Sequence, residues 1–347
     1  KILQQIYHPG SARAPGKGTF QISASAIPNP IAGGIPTAMT IPMIEEMVDA
    51  FAAAARRCRD GGLDGVDIHA SSGYLIEQFL SPANNIRTDR YGGSLENRMR
   101  FLMEIIEAIR AEVGTDICVG IRLPNEEYIP GGLTAEDNAQ IAKIVEPHVD
   151  YISLHMGSYW RFHKLLSPMD DPLGHEMPAN KPITKQLTKP TIVVGRIMTL
   201  DHADTIVREG QADMVSMVRA LIADPGLVNK AKQGNTDQIR PCIGSNFGCV
   251  GQIMSTGKLG CVVNIAAAQE TEVTFEPEGT PKTIEKILIV GGGPAGLEAA
   301  RTAAIMGHQA HLHEATKDLG GQVRIAATAP NRADIGSITK WLESEME

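Results

Sequence analysis

Aromatic residues are scarce in this chain of 347 residues, at 4% of the total with two tryptophans. Any cluster of them is therefore informative, and Tyr159, Trp160 and Phe162 fall within four residues of one another. Positive charge is short as well: 32 lysines and arginines against 40 acids give a net charge of −8. That balance argues against nucleic acid or an anionic membrane as partner, since either needs a clustered basic face. No apolar run reaches the length of a membrane span, and the amino terminus has no charged-then-apolar leader pattern. Five cysteines are too few for a disulfide framework in a chain this long. These absences leave a cytoplasmic globular protein with a small-molecule substrate as the expectation. Its 43% hydrophobic and 21% charged residues are ordinary for that class.

Three of the five cysteines gather in Cys242-Ile-Gly-Ser245-Asn-Phe-Gly-Cys249 and Cys261. Thiolates at short spacing before a more distant one suit an iron–sulfur cluster, with a hydroxyl at 245 in place of one ligand. Serine is a harder and poorer iron ligand than thiolate. The alternative is that the three are inert buried thiols. Zinc is disfavoured because a structural site takes four Cys or His ligands, and no histidine lies between Pro241 and Ile265.

From Pro42 onward, short apolar runs alternate with amphipathic stretches, the pattern of a parallel sheet covered by helices. Apolar residues recur at helical spacing from Ile44 to Ala55, and Gly61-Gly62 ends that helix. Strands buried on both faces are predicted at 65–69, 117–123, 151–155, 191–195 and 214–218, after an opening strand in 2–7. Helices are predicted at 95–113, 134–145 and 200–209, the second with Thr134 and Asp137 spaced as a capping box. The count fits an α/β fold, a (β/α)8 TIM barrel lacking its first two strands, with an open doubly wound sheet as runner-up. The opening run reads as a strand already under way and 335–347 as helix-like, so the chain reads as a segment truncated at both ends.

Residues 272–285 are polar and lack apolar period, which marks a linker. The pattern then restarts with a buried strand at 286–290, the turn Gly291-Gly-Gly293-Pro-Ala-Gly296, a helix at 297–306, and a strand at 309–313 ending in Glu314. Glycines that admit a pyrophosphate to a helix amino terminus, with an acid about twenty residues on for a ribose hydroxyl, are a dinucleotide-binding signature. The predicted domains are 1–235 for a partial barrel, 236–271 for the cysteine segment, and 286–347 for the start of a Rossmann-like FAD/NAD(P)-binding domain.

The stretches Asp64-Gly-Val-Asp-Ile-His69-Ala-Ser-Ser72-Gly-Tyr74-Leu, Gln78-Phe-Leu-Ser-Pro82 and Arg87-Thr-Asp-Arg-Tyr-Gly-Gly-Ser-Leu-Glu-Asn-Arg98 resemble the old yellow enzyme family of flavin oxidoreductases. With the cysteine segment and second nucleotide fold, the chain is similar to the branch holding 2,4-dienoyl-CoA reductase, 2-enoate reductase and trimethylamine dehydrogenase. That resemblance implies FMN in the barrel, a four-iron cluster beside it, FAD or its ADP moiety in the second domain, and NAD(P)H as electron source. It expects Cys-x2-Cys-x3-Cys-x11-Cys, so Cys242, Ser245, Cys249 and Cys261 are the metal positions, with serine in the second place.

The same resemblance assigns Gln5 and Arg122 to the flavin ring, and Gly195, Arg196 and Arg219 to its phosphate. A guanidinium suits the negative charge of reduced flavin. Tyr74 matches the family's proton donor, with His155 as the alternative donor. His69 matches the first member of the substrate-anchoring His-x-x-His/Asn pair, whose second place is taken by Ser72. Ser11 similarly stands where arginine is usual. Tyr159 and Trp160 are expected to rim the pocket, where aromatic faces suit a flat conjugated substrate or an amine cation, the latter with Asp170, Asp171 and Glu176 nearby. The implied activity is reduction of an activated C=C bond. The alternatives are oxidation of a methylated amine, with an external electron-transfer partner, and an inactive cofactor-binding fragment. A homo-oligomer fits either activity.

Overall fold

The computed structural model describes residues 1–13, 20–273, 281 and 283–346. The chain folds as two compact units. The first comprises Lys1–Leu165, Gly174–Gly195 and Ala203–Ser216, and the second Leu166–Leu173, Arg196–His202 and Met217–Glu347. The 166–173 and 196–202 segments and the residues after 216 thus fall in the same unit as the cysteine segment and the nucleotide fold. Most of the linker drawn at 272–285 lies outside the described residues.

In the first unit six parallel strands run in chain order: β1 (Leu3–Ile6), β4 (Gly65–His69), β5 (Cys118–Pro124), β6 (Tyr151–His155), β7 (Thr191–Val193) and β8 (Met214–Val215). The sequential parallel order with intervening helices is that of a TIM barrel. A separate parallel pair, β2 (Ile22–Ser23) and β3 (Thr37–Ala38), lies in the loop after β1. The helices Ile41–Asp60 and Leu95–Val113 pack against each other outside the sheet. Val66, Ile68, Val119, Ile121, Ile152 and Leu154 join Phe51, Leu102, Ile105 and Ile106 in one buried core.

Local rules explain the element limits. Gly61 follows the first helix, Ser94 accepts from the Asn97 N–H to start the next, and Thr134 and Asp137 form the expected capping box. Burial on both faces holds for β4, all of whose residues are buried. It does not hold for β1 and β8, which end the sheet: Met214 is 42% exposed. β7 and β8 are also shorter than their apolar runs; β8 cannot extend to 218 because Val218 already begins the helix Val218–Ala223.

In the second unit β9 (Lys286–Val290) and β10 (Gln309–His313) form a two-stranded parallel sheet against the helix Pro294–Ile305. Expected as a buried strand, β9 instead leaves Leu288 66% and Val290 81% exposed. Its burial alternates along the strand, so one face of the two-stranded sheet is partly covered, with the helix Pro294–Ile305 in contact with both strands, while the face bearing Leu288 and Val290 is open. No helix among the described residues is long and apolar enough to cross a membrane.

Candidate active site

Parallel register lays the inward side chains in layers. Gln5, Asp67, Gly120 and Tyr151 are neighbours across β1, β4, β5 and β6. Gly120 is required there, since a Cβ would stand 1.9 Å from the Tyr151 ring. The space it leaves lets the Tyr151 hydroxyl reach past β5 and donate to Asp67 Oδ1 at 2.8 Å, while Gln5 Nε2 donates to Oδ2 at 2.6 Å. Burial raises the Asp67 carboxyl above its usual range, opposed by these two bonds and by Arg122.

One layer up, His69 pairs with Arg122 and Arg122 with Ser153. The Arg122 Nε is buried without a partner. An unsatisfied donor of that kind costs about 1–3 kcal/mol. Burial pushes the His69 imidazole down to about 3, assisted by Arg122 and His155, so it is neutral at pH 7. Its Nδ1 lies 3.3 Å from the Ser71 N–H and hydroxyl. Ser72 follows with φ 65°, its hydroxyl 3.5 Å from that of Ser71.

Tyr74 stands at the start of the helix Leu75–Leu80, beyond the carboxyl end of β4. Its ring meets His69 edge-on at 4.8 Å and Tyr7 at 5.1 Å. Its hydroxyl is 3.1 Å from that of Tyr159, whose ring adjoins Phe162 at 5.8 Å. Burial, then the bond to Tyr159, raises the Tyr74 pKa, so it holds its proton. Trp160 is 38% exposed and lines a cavity of about 370 Å³ with Ala83, Ile129, Pro130 and Arg161.

His155 ends β6 with its Nδ1 3.4 Å from Glu176 Oε1. This contact is not an ion pair, because burial drives His155 well below the usual imidazole range and lifts Glu176 to about 8. Glu176 is held on its other oxygen by the Met156 N–H at 2.8 Å and Asn125 Nδ2 at 3.3 Å. Gly195, at φ 128°, also belongs to the first unit and leaves room for the Glu176 side chain.

Arg196 and Arg219 belong to the second unit. Arg196 is engaged by the Asp171 carbonyl and the Asp334 carboxylate. Arg219 donates to the Ser167 carbonyl at 2.8 Å and to Asn246 Oδ1 at 2.7 Å, which ties it to the cysteine segment. Burial raises the Cys242 thiol pKa, with Cys261 and Cys249 adding to the rise, and Cys242 and Cys261 pack against the same small buried cluster. Ser245 accepts from the Phe247 N–H at 3.4 Å. Among the described residues no three His, Cys, Asp or Glu side chains gather tightly enough to hold a single metal ion. At the glycine turn a Cβ on Gly296 would stand 1.9 Å from the Gly291 carbonyl, which fixes glycine there. Glu314 accepts from the Gly292 N–H at 2.7 Å, so the acid closes back on the turn.

Residues 4–238 match the NADH:flavin oxidoreductase / NADH oxidase family, and residues 289–344 an NAD(P)-binding Rossmann-like domain. The chain belongs to this flavin oxidoreductase family. It is 40% identical to an NADH oxidase of Thermoanaerobacter brockii, over 100% of this chain and 54% of that protein. The solved structure of a 2-naphthoyl-CoA reductase in complex with 2-naphthoyl-CoA superposes with TM-score 0.90 and 32% identity, covering 98% of this chain and 54% of the other. That of histamine dehydrogenase from Rhizobium sp. 4-9 gives TM-score 0.90 and 29% identity, covering 99% and 50%. The chain thus spans about half the length of these relatives. Within the family, FMN is the cofactor of the first domain, and the second carries the NAD(P)-binding fold.

Four residues of this site escaped the sequence reading: Asp67, Tyr151, Asn125 and the structural part played by Glu176. Asp67 did carry a signal, being an acid two positions before His69 in an otherwise apolar strand, hence on the same inward face. Tyr151 and Asn125 carried none, since only the register brings them in.

Proposed function

We propose that this chain is the catalytic part of an FMN-dependent reductase of activated carbon–carbon double bonds, with Tyr74 as proton donor. The observation that carries the reading is the Tyr74 hydroxyl, kept protonated by burial and bonded to Tyr159 beyond the end of β4. FMN, when bound, supplies hydride to the β-carbon of the alkene. The protein's part is to deliver a proton to the α-carbon and to hold the substrate for it. Tyr159 replaces the contact Tyr74 loses as its proton leaves. His69, neutral and with its Nδ1 facing the Ser71 N–H, donates one hydrogen bond from Nε2 to the substrate carbonyl, and the Ser72 hydroxyl donates a second. Arg122, with its orphan Nε, fits the flavin's electron-rich edge and stabilises negative charge there. Gln5 adds a polar contact to the ring, and Gly195, Arg196 and Arg219 are assigned to the cofactor phosphate.

Pocket electrostatics favour this reading over amine oxidation. Arg122 brings a buried positive charge, His69 and His155 are neutral, and Glu176 is lifted to about 8, so the inward face presents no anion to an amine cation apart from Asp67, already engaged by Gln5 and Tyr151. The aromatic wall of Tyr7, Tyr74, Tyr159 and Phe162 suits a flat conjugated acid or thioester. Among the similar proteins, the 2-naphthoyl-CoA reductase supports this class and the histamine dehydrogenase supports the amine alternative.

NAD(P)H is the assigned electron source; Gly291, Gly293, Gly296 and Glu314 would hold FAD, and Cys242, Cys249 and Cys261, with Ser245 in the second place of the motif, would hold an iron–sulfur cluster that could relay electrons. The support is chemical: three thiols in one segment suit iron, and the Ser245 hydroxyl is a poorer ligand than thiolate. Such a centre belongs in a reducing compartment, which suits the cytoplasm. The reaction run in D2O tests the reading: one solvent deuterium should appear at the α-carbon of the product, and a product without it would exclude a protein or solvent proton donor.

A further inference from the structure

Two buried glutamates beneath the Tyr74 loop take no part in the chemistry described above. Glu77 lies on the helix Leu75–Leu80, and Glu127 in the loop after β5; both are 0% exposed. Glu77 Oε2 accepts from the Gly73 N–H at 2.5 Å. Glu127 Oε2 accepts from the Ser81 hydroxyl at 2.7 Å and the Leu133 N–H at 2.5 Å. That leaves Glu77 Oε1 and Glu127 Oε1, both buried and both without a donor. Two ionised carboxylates cannot share such a site: each orphan oxygen would cost its desolvation and the charges would repel. A single proton held between them answers both objections.

We propose that Glu77 and Glu127 share one proton, and that this neutralised pair is a positioning device for Tyr74. The inference rests on the reading of Tyr74 as proton donor. Glu77 grips the N–H of Gly73, while Gln78 Nε2 donates to the Gly73 carbonyl at 2.7 Å, so both sides of the residue before Tyr74 are fixed. The grip is needed because Ser72 and Gly73 are consecutive residues at positive φ, 65° and 75°, a backbone that a serine adopts only at a cost. Through Leu133, Glu127 ties the same pair to the 127–133 loop, which carries the cavity residues Ile129 and Pro130.

The groups facing the pair agree with this arrangement. Burial first, then Glu127, raises Glu77 well above the carboxylate range, opposed by the Gly73 N–H. Burial first raises Glu127 as well; Asp137, from the helix Ala135–Val145, adds to it, while Leu133, Ser81 and a hydrogen bond from Glu77 oppose it. Both carboxyls are thus pushed toward the protonated form, and the oxygens without a donor, Glu77 Oε1 and Glu127 Oε1, are the ones left to share a proton. Because the folded-state value is raised, the pair's stability is full below the ordinary glutamate range and is lost as pH rises through the raised value.

The test compares E77Q and E77L with the parent flavoprotein. The glutamine of E77Q keeps an acceptor for Gly73 and supplies an N–H to Glu127 without titrating, whereas the leucine of E77L removes both. E77Q should rescue alkene reduction and erase its alkaline fall-off, and should raise the thermal midpoint at pH 9 by about 2–4 °C with no gain at pH 5. E77L should slow turnover on the order of 100-fold at unchanged flavin content, the usual effect of misplacing a catalytic group by about an ångström. An alkaline limb that persists in E77Q, or an E77Q midpoint that tracks the parent at every pH, overturns proton sharing, and the midpoint speaks even if E77L does not fold. A gain in midpoint with unchanged turnover in E77L overturns positioning alone. Failure of the donor reading would show separately, as Y74F turning over like the parent.

Discussion

The Tyr74 hydroxyl stands 3.1 Å from that of Tyr159, so one of the two donates to the other and a single proton is left to leave the pair. Removing the Tyr74 hydroxyl removes that proton. Y74F should slow alkene reduction by roughly 10²- to 10⁴-fold, the usual contribution of a positioned acid. Y159F should cost much less, on the order of a few-fold, since Tyr74 keeps its own proton. Rapid-mixing rates of the oxidative half-reaction, at equal flavin content, check both.

Arg122 is the buried cation of the inward face, and its Nε lacks a protein partner. R122Q should lower the flavin midpoint potential, because a charge-assisted hydrogen bond of about 1.5–3 kcal/mol no longer favours the reduced form. For two electrons that is roughly 30–60 mV. Spectroelectrochemical titration measures it, and an unchanged potential would place Arg122 away from the ring.

Glu176, lifted to about 8 by burial, is protonated at neutral pH. A carboxyl whose folded-state value is raised gives stability that is full below about 4.5 and lost as pH rises through about 8. E176Q should therefore be indistinguishable from the parent near pH 5 and more stable near pH 9. Thermal melts across that range check the sign; a variant less stable at pH 9 would mean that the carboxylate is the folded-state form.

Ser245 occupies the place at which the resemblance expects a fourth thiolate. S245C should raise iron and acid-labile sulfide in anaerobically purified protein, because it completes the shell that three thiols leave open. If both the parent and the variant lack iron, Cys242, Cys249 and Cys261 are packing residues.

Much of this architecture was legible in the sequence because the signals were local. The strands 65–69 and 151–155 and the helix 95–113 coincide with the observed elements, since turn glycines and caps bound them. The dinucleotide turn was equally plain, as Gly296 admits no side chain beside Gly291. What failed was burial at the sheet limits: Met214 and Val290 look like core in a window of apolar residues, and only strand pairing decides otherwise. The site divided the same way. His69 and Tyr74 announced themselves by motif, whereas the Asp67 clasp depends on Gly120 yielding its space to Tyr151 two strands from β4, and the Glu77–Glu127 pair joins positions far apart in the chain.

The central claim is that the reduced flavin hands its electrons to a carbon–carbon double bond. The direct measurement is anaerobic mixing of the dithionite-reduced flavoprotein with trans-cinnamate or a 2-enoyl thioester, in parallel with mixing of the oxidised protein with dimethylamine or trimethylamine, following flavin absorbance. The account predicts that the alkene restores the oxidised flavin spectrum and yields the saturated acid or thioester, while the amines leave the oxidised spectrum unchanged. Bleaching by an amine, with no reoxidation by any activated alkene, would contradict it.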